Sequence, residues 1–186
     1  ERLLPAIISS ADTNSRIVDL GEEMLKRFTP DLEDDNVVQR LYSLYFGRES
    51  DGAPPARPAL QVKALAYLGK SRRATADTAK ISRLIEDGLL SEAARSSQGL
   101  QASKLRTQVF TFITWVVRMG SPVDLEQMLP KIIEGLRDFI LSQGWPSPGA
   151  GGKKLSATDL SLRSLAYETI GVMVPKVHFK RQEERE

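Results

Sequence analysis

At 186 residues and 20.6 kDa, with 41% hydrophobic and 27% charged residues, the chain has the make-up of one ordinary globular domain, long enough to bury a core. Twenty-six basic residues against 24 acidic leave a formal charge of +2, too even a balance to point to nucleic acid or an anionic membrane surface. The absence of cysteine removes disulfide and thiolate chemistry, and a single histidine, His178, removes His-rich metal sites.

The chain opens on Glu1 rather than Met, with no signal-peptide pattern after it, and reads as a piece of a longer protein. No apolar run approaches the roughly 20 residues that span a bilayer. An intracellular setting, without membrane insertion and without a cofactor, is the expectation.

In chain order, the first predicted element is a helix pair. Leu3-Leu4-Pro5-Ala6-Ile7-Ile8 leads through an Ala11-Asp12-Thr13-Asn14 turn into Arg16-Ile17-Val18-Asp19-Leu20-Gly21. Helical apolar spacing then predicts helices over Asn36 to Phe46, Pro58 to Ser71 and Thr78 to Leu90. Leu105, Val109, Phe112, Ile113, Val116 and Val117 form another helical stripe, ended by Gly120. Phe110 and Trp115 widen that stripe, so this helix is expected to pack on more than one side.

Ser121, Pro122, Asp124 and Glu126 mark the start of the next helix, whose stripe runs from Leu125 through Met128, Ile132 and Leu136 to Ile140. Pro130 inside that stripe predicts a kink or a late start. A last helix is expected over Thr158 to Val174; Pro175 marks the β-branched run Val172 to Val177 as a helix end and not a strand. Loops are expected at Gly47 to Arg57, Ser91 to Gly99 and Gly144 to Lys154, the last flexible by its Gly and Pro content. No strand alternation is visible, so the predicted class is all-α.

The pieces repeat. Met128-Leu129-Pro130-Lys131-Ile132-Ile133 echoes Leu3 to Ile8, and Val62-Lys63-Ala64-Leu65-Ala66-Tyr67-Leu68-Gly69 is matched by Leu162-Arg163-Ser164-Leu165-Ala166-Tyr167 with Ile170-Gly171. These alternating first-helix and second-helix signatures resemble HEAT repeats. They imply an α-α superhelix of about four antiparallel pairs, Glu1 to Phe28, Leu32 to Arg73, Ala76 to Gly120 and Pro122 to Val177. Stacked apolar faces would form the core, Asp or Asn would cap incoming helices, and Ala66, Gly69, Ala166 and Gly171 would allow close approach. Apolar faces at the ends of such an array predict a tendency to self-associate.

Glu1 to Asp12, Val18-Asp19-Leu20-Gly21-Glu22-Glu23-Met24-Leu25-Lys26-Arg27, Arg57 to Lys63 and Leu162 to Gly171 are also similar to the N-terminal region of the large eukaryotic proteasome stabiliser and adaptor family, a HEAT-like scaffold. The resemblance implies a non-catalytic cytoplasmic and nuclear protein that bridges the proteolytic core particle and its ATPase-bearing regulatory particle. No family motif assigns a contact to a numbered residue here. An importin-type transport factor, also a HEAT solenoid, is the alternative; the near-neutral charge gives it little support.

Candidate partner-binding residues are the cations Lys70, Arg72 and Arg73, together with Trp145, Lys153 and Lys154. The three cations also suit a helix C-terminus on dipole grounds alone. Trp145 in a Gly-Trp-Pro turn is either a lid on the core or an anchor. Gly149, Gly151 and Gly152 with Lys153-Lys154 lack the residue order of a phosphate loop, since Leu155 follows the lysines and a helix precedes them. Glu22-Glu23 and Asp34-Asp35 are adjacent in sequence, point in different directions and read as surface or helix-start charges. His178 has no nucleophile or acid arranged with it.

Overall fold

A computed structural model of the chain describes residues 2–27, 31–48, 52–91, 99–142 and 157–176. Among these the backbone forms eight α-helices and no strand, apart from one isolated bridge between Arg48 and Ala53. The helices are α1 (Leu3–Ser10), α2 (Ser15–Arg27), α3 (Asp35–Phe46), α4 (Pro58–Leu68), α5 (Thr78–Ile85), α6 (Leu100–Met119), α7 (Pro122–Ser142) and α8 (Ala157–Met173). The fold is all-helical, with helix pairs packed as an α-α superhelix requires.

Short polar side chains start four of these eight helices. Asn14 Oδ1 accepts the Arg16 amide at 3.0 Å before α2, and Asp34 Oδ1 accepts the Asn36 amide at 2.9 Å before α3. Asp77 does the same for Lys80 at 3.1 Å ahead of α5, and Ser121 for Asp124 at 3.2 Å ahead of α7. Each accepts an amide that the first helical turn leaves without an intrahelical partner.

Several boundaries differ from the sequence expectation. Helix α4 stops at Leu68 instead of reaching Ser71, because Gly69 to Arg72 turn into a short 3₁₀ segment, Arg73–Ala76. Helix α6 starts at Leu100, directly after the loop expected to end at Gly99; its first turn, ahead of the Leu105 stripe, exposes Leu100. After Ile85 the helix widens into a π-type turn, Glu86–Leu90, closed by the Ser91 amide on the Glu86 carbonyl at 2.7 Å. Pro130 does not delay α7. The helix runs through it, with Met128, Ile132 and Leu136 buried on both sides of the amide that proline lacks.

Helices that come second in their pairs form one layer: α4 packs on α6, and α6 on α8. Helices that come first lie across from them, with α3 on α4 and α5 on α7. The α1–α2 hairpin closes one end, α1 touching α4 and α2 held to α4 through the Glu22–Lys63 ion pair. A single apolar cluster runs from Leu3 to Met173. Aromatic edges cross the layers, Tyr42 on Phe112 with ring centres 6.3 Å apart and Phe110 on Phe139 at 4.7 Å. Between α6 and α8 the buried hydroxyls of Thr114 and Thr169 meet at 2.6 Å.

The turn after α4 is tied to three other segments. Ser71 is fully buried; its hydroxyl donates to the Leu32 carbonyl at 2.6 Å and accepts the Ala74 amide at 3.0 Å. The Ser71 carbonyl accepts the Trp115 indole N–H of α6 at 2.9 Å, and the Tyr42 hydroxyl of α3 donates to the Ala74 carbonyl at 2.8 Å. Buried backbone groups in an irregular turn need such partners, or their desolvation goes unanswered.

Close helix approach falls at a glycine that the repeat pattern did not single out for it and misses one that it did. Gly21 of α2 lies so near α1 that an added Cβ would sit 2.3 Å from the Ser10 amide nitrogen. Gly171 of α8 was expected at such a contact, yet nothing lies within 4 Å of its Cβ direction, because no described helix stacks beyond α8. Gly21→Ala is therefore expected to destabilise the chain by about 1–3 kcal/mol through overpacking against backbone. Gly171→Ala is expected to stabilise it by up to about 1 kcal/mol through helix propensity. Urea unfolding followed by helical circular dichroism checks both, and shifts of the same sign would contradict the packing.

Tyrosine burial sets a second expectation. Tyr45 is pushed up to about 12 by burial and, secondarily, by the Asp87 carboxylate; Tyr42 is pushed up further, by burial and then Asp77. A raised folded-state pKa leaves stability intact below the unfolded tyrosine value of about 10 and removes it as pH climbs from there towards the folded value. Tyr42→Phe should cost about 1 kcal/mol near neutrality, since the Ala74 carbonyl loses its donor. It should also make the alkaline fall in stability shallower, by about 1.4 kcal/mol per pH unit. Urea midpoints measured from neutral to alkaline pH test this, and wild-type and variant curves that stay parallel would refute it.

Candidate partner-docking surface

Of the six candidate residues, Lys70, Arg72 and Arg73 come together on the turn between α4 and α5. Trp145, Lys153, Lys154, the 144–154 loop and His178 lie outside the described residues.

The cationic turn is built on a carboxylate. Glu33, in the link between α2 and α3, accepts the Arg72 amide at 2.8 Å and the Arg73 amide at 2.9 Å, one on each oxygen. That bidentate cap serves the free amides at the start of the 3₁₀ turn and turns the side chains outward. The Arg73 guanidinium then meets Asp35 at 3.1 Å, both side chains about half exposed. The Lys70 ammonium sits 5.1 Å from the centre of the Tyr67 ring. Tyr67 is pushed up by burial, with the Glu22 carboxylate adding to it. The Arg72 guanidinium makes no ion pair with another described residue, which leaves it the cation of the three most available to an acidic partner.

The acid pairs are taken up structurally. Glu22 pairs with Lys63 and Glu23 with Arg27, while Asp34 caps α3 and Asp35 pairs with Arg73. Among the described residues no group of three His, Asp or Glu side chains is placed to hold a metal ion, and no helix is long and apolar enough to cross a membrane.

Sequence reading missed the residues that position the turn: Glu33, Ser71, Tyr42 and Trp115. Tyr42 was readable as core from its place in the Val38, Leu41, Tyr42, Tyr45 stripe, but its hydroxyl partner 32 residues away was not. Ser71 gives no signal at all in the sequence, since a serine after a helix is ordinarily exposed. Apolar faces at the ends of the array were expected, though without named residues, and the structure supplies the residues. Ile17, Leu20 and Met24 line the outer face of α2, with Leu20 56% exposed, and Leu160 and Tyr167 do so on α8, 54% and 49% exposed.

A family profile described as "Proteasome component ECM29, N-terminal" matches residues 1–184. The chain is 28% identical over 174 residues to "Proteasome component ECM29" of Saccharomyces cerevisiae. That alignment takes in 89% of this chain but 9% of the yeast protein, so the chain spans a small part of its relative's length. No solved structure matches the chain. The chain belongs to the family of the N-terminal region of proteasome component ECM29.

Proposed function

We propose, from this membership, that the chain is a non-catalytic helical-repeat segment that binds the proteasome and helps hold its proteolytic core to its ATPase-bearing regulatory particle. The observation that carries the reading is the profile match from residue 1 to residue 184, which leaves almost none of the chain outside the family pattern. The architecture supports it. Repeats that contact only their neighbours present long ordered surfaces and need no catalytic centre, which suits a protein whose task is to touch two large particles at once. The surfaces offered are the Lys70–Arg73 turn and the apolar outer faces of α2 and α8. A proteasome-bound protein of this kind would reside in the cytoplasm and the nucleus.

The test is affinity capture with mass spectrometry on the parent protein, with and without these residues. Core and regulatory subunits should co-purify with the intact parent and fall away when the segment is deleted, the remainder staying folded by circular dichroism. Imaging of the tagged parent should place it in both compartments. Recovery of transport cargo and a small GTPase in place of proteasome subunits would overturn the proposal in favour of an importin-type factor.

A further inference from the structure

We infer that the hollow between α1 and α3 is a docking groove for an acidic, apolar peptide segment of a partner protein. The packing of first helices is uneven. Helix α5 closes directly on α7, whereas α1 leans mainly on α2 and leaves a gap beside α3. That gap is a half-open groove of about 460 Å³, within the usual range for ligand sites.

Its walls are apolar. Leu4 and Ile8 come from α1, Leu44 from α3 and Pro54 from the loop after α3, and Ile8 is 46% exposed. Its charged lining is basic: Arg40 and Arg48 stand at the rim, and among the described residues no carboxylate lines the groove. Arg40 is exposed and makes no ion pair with another described residue. The hollow on the far side of Arg40 contains Asp34, but that carboxylate is engaged in capping α3 through the Asn36 amide.

An occupant must therefore put an aliphatic or aromatic side chain against Leu4, Ile8 and Leu44 and a carboxylate within reach of Arg40. A guanidinium grips a carboxylate through two parallel hydrogen bonds, so the pairing fixes orientation as well as sign. Apolar residues interleaved with Asp or Glu on a peptide satisfy both demands; a basic or uncharged segment satisfies at most one. The groove lies beside α1 and α3, apart from the Lys70–Arg73 turn that follows α4, and does not depend on the proteasome reading.

Fluorescence anisotropy of the 186-residue chain with a fluorescein-labelled peptide of interleaved Leu and Glu tests the inference, with a Leu/Lys peptide of the same pattern as comparison. The Leu/Glu peptide should bind and the Leu/Lys peptide should not. Arg40→Glu should weaken the Leu/Glu peptide roughly tenfold, the loss of one charge-assisted pair, and should let the Leu/Lys peptide bind. Ile8→Asn should weaken the Leu/Glu peptide without changing which charge is preferred. Because Arg40 is exposed, circular dichroism of Arg40→Glu should match wild type. Leu/Glu binding that Arg40→Glu leaves unchanged, failure of that peptide to bind, or binding only to phosphatidylserine vesicles would overturn the proposal.

Discussion

The hydroxyl of Ser71 accepts one hydrogen bond and donates another inside a turn where no helix satisfies the backbone, and its own carbonyl takes the Trp115 indole N–H. Three chain segments distant in sequence meet at this residue: the link before α3, the turn after α4 and the C-terminal part of α6. Tyr42 adds a fourth tie by donating to Ala74. In a repeat array most contacts join neighbours, and stability is roughly the sum of repeat and interface terms. A buried, fully satisfied polar junction between two pairs makes those terms cooperate, since losing any one partner strands buried donors or acceptors.

What the array shows to the outside follows from that junction. With the turn fixed, Glu33 is placed to cap Arg72 and Arg73, and their side chains face solvent. Much of the nearby charge is answered within the chain: Arg73 by Asp35, Lys80 by Asp77, Arg118 by Glu168 and Lys131 by Glu86. Exposed pairs of this kind contribute little to stability, on the order of 0–1 kcal/mol each, and serve mainly to define which cations remain for partners. Arg72 on the turn and Arg40 beside the α1–α3 groove are two exposed cations that make no ion pair with another described residue.

Much of this fold was legible in the sequence, because its signals are local. Ser121 caps the helix whose start it marked, Asn14 caps from the Asp/Asn turn, Asp34 proves to be a helix-start charge, and the wide stripe around Phe110 and Trp115 does face neighbours on two sides, α4 and α8. What failed depends on a neighbour. The Leu-Ala-Tyr signature occurs twice, yet the residue after it, Leu68, is fully buried under α6, while its counterpart Glu168 faces out beside Arg118. Gly171 fits the motif and touches nothing, whereas Gly21 is pressed on α1. The π-type turn at Glu86–Leu90 and the Ser71 junction arise from tertiary contacts that no periodicity encodes.

Native-state hydrogen exchange on Ser71→Ala tests most directly whether the junction binds the array together. Removing the hydroxyl strands the Leu32 carbonyl and the Ala74 amide, so protection should fall in α3, α4 and α6 together and by a common factor, as for one cooperative unit. Loss of protection confined to residues 71–76, with α3 and α6 exchanging as in the wild type, would contradict the account.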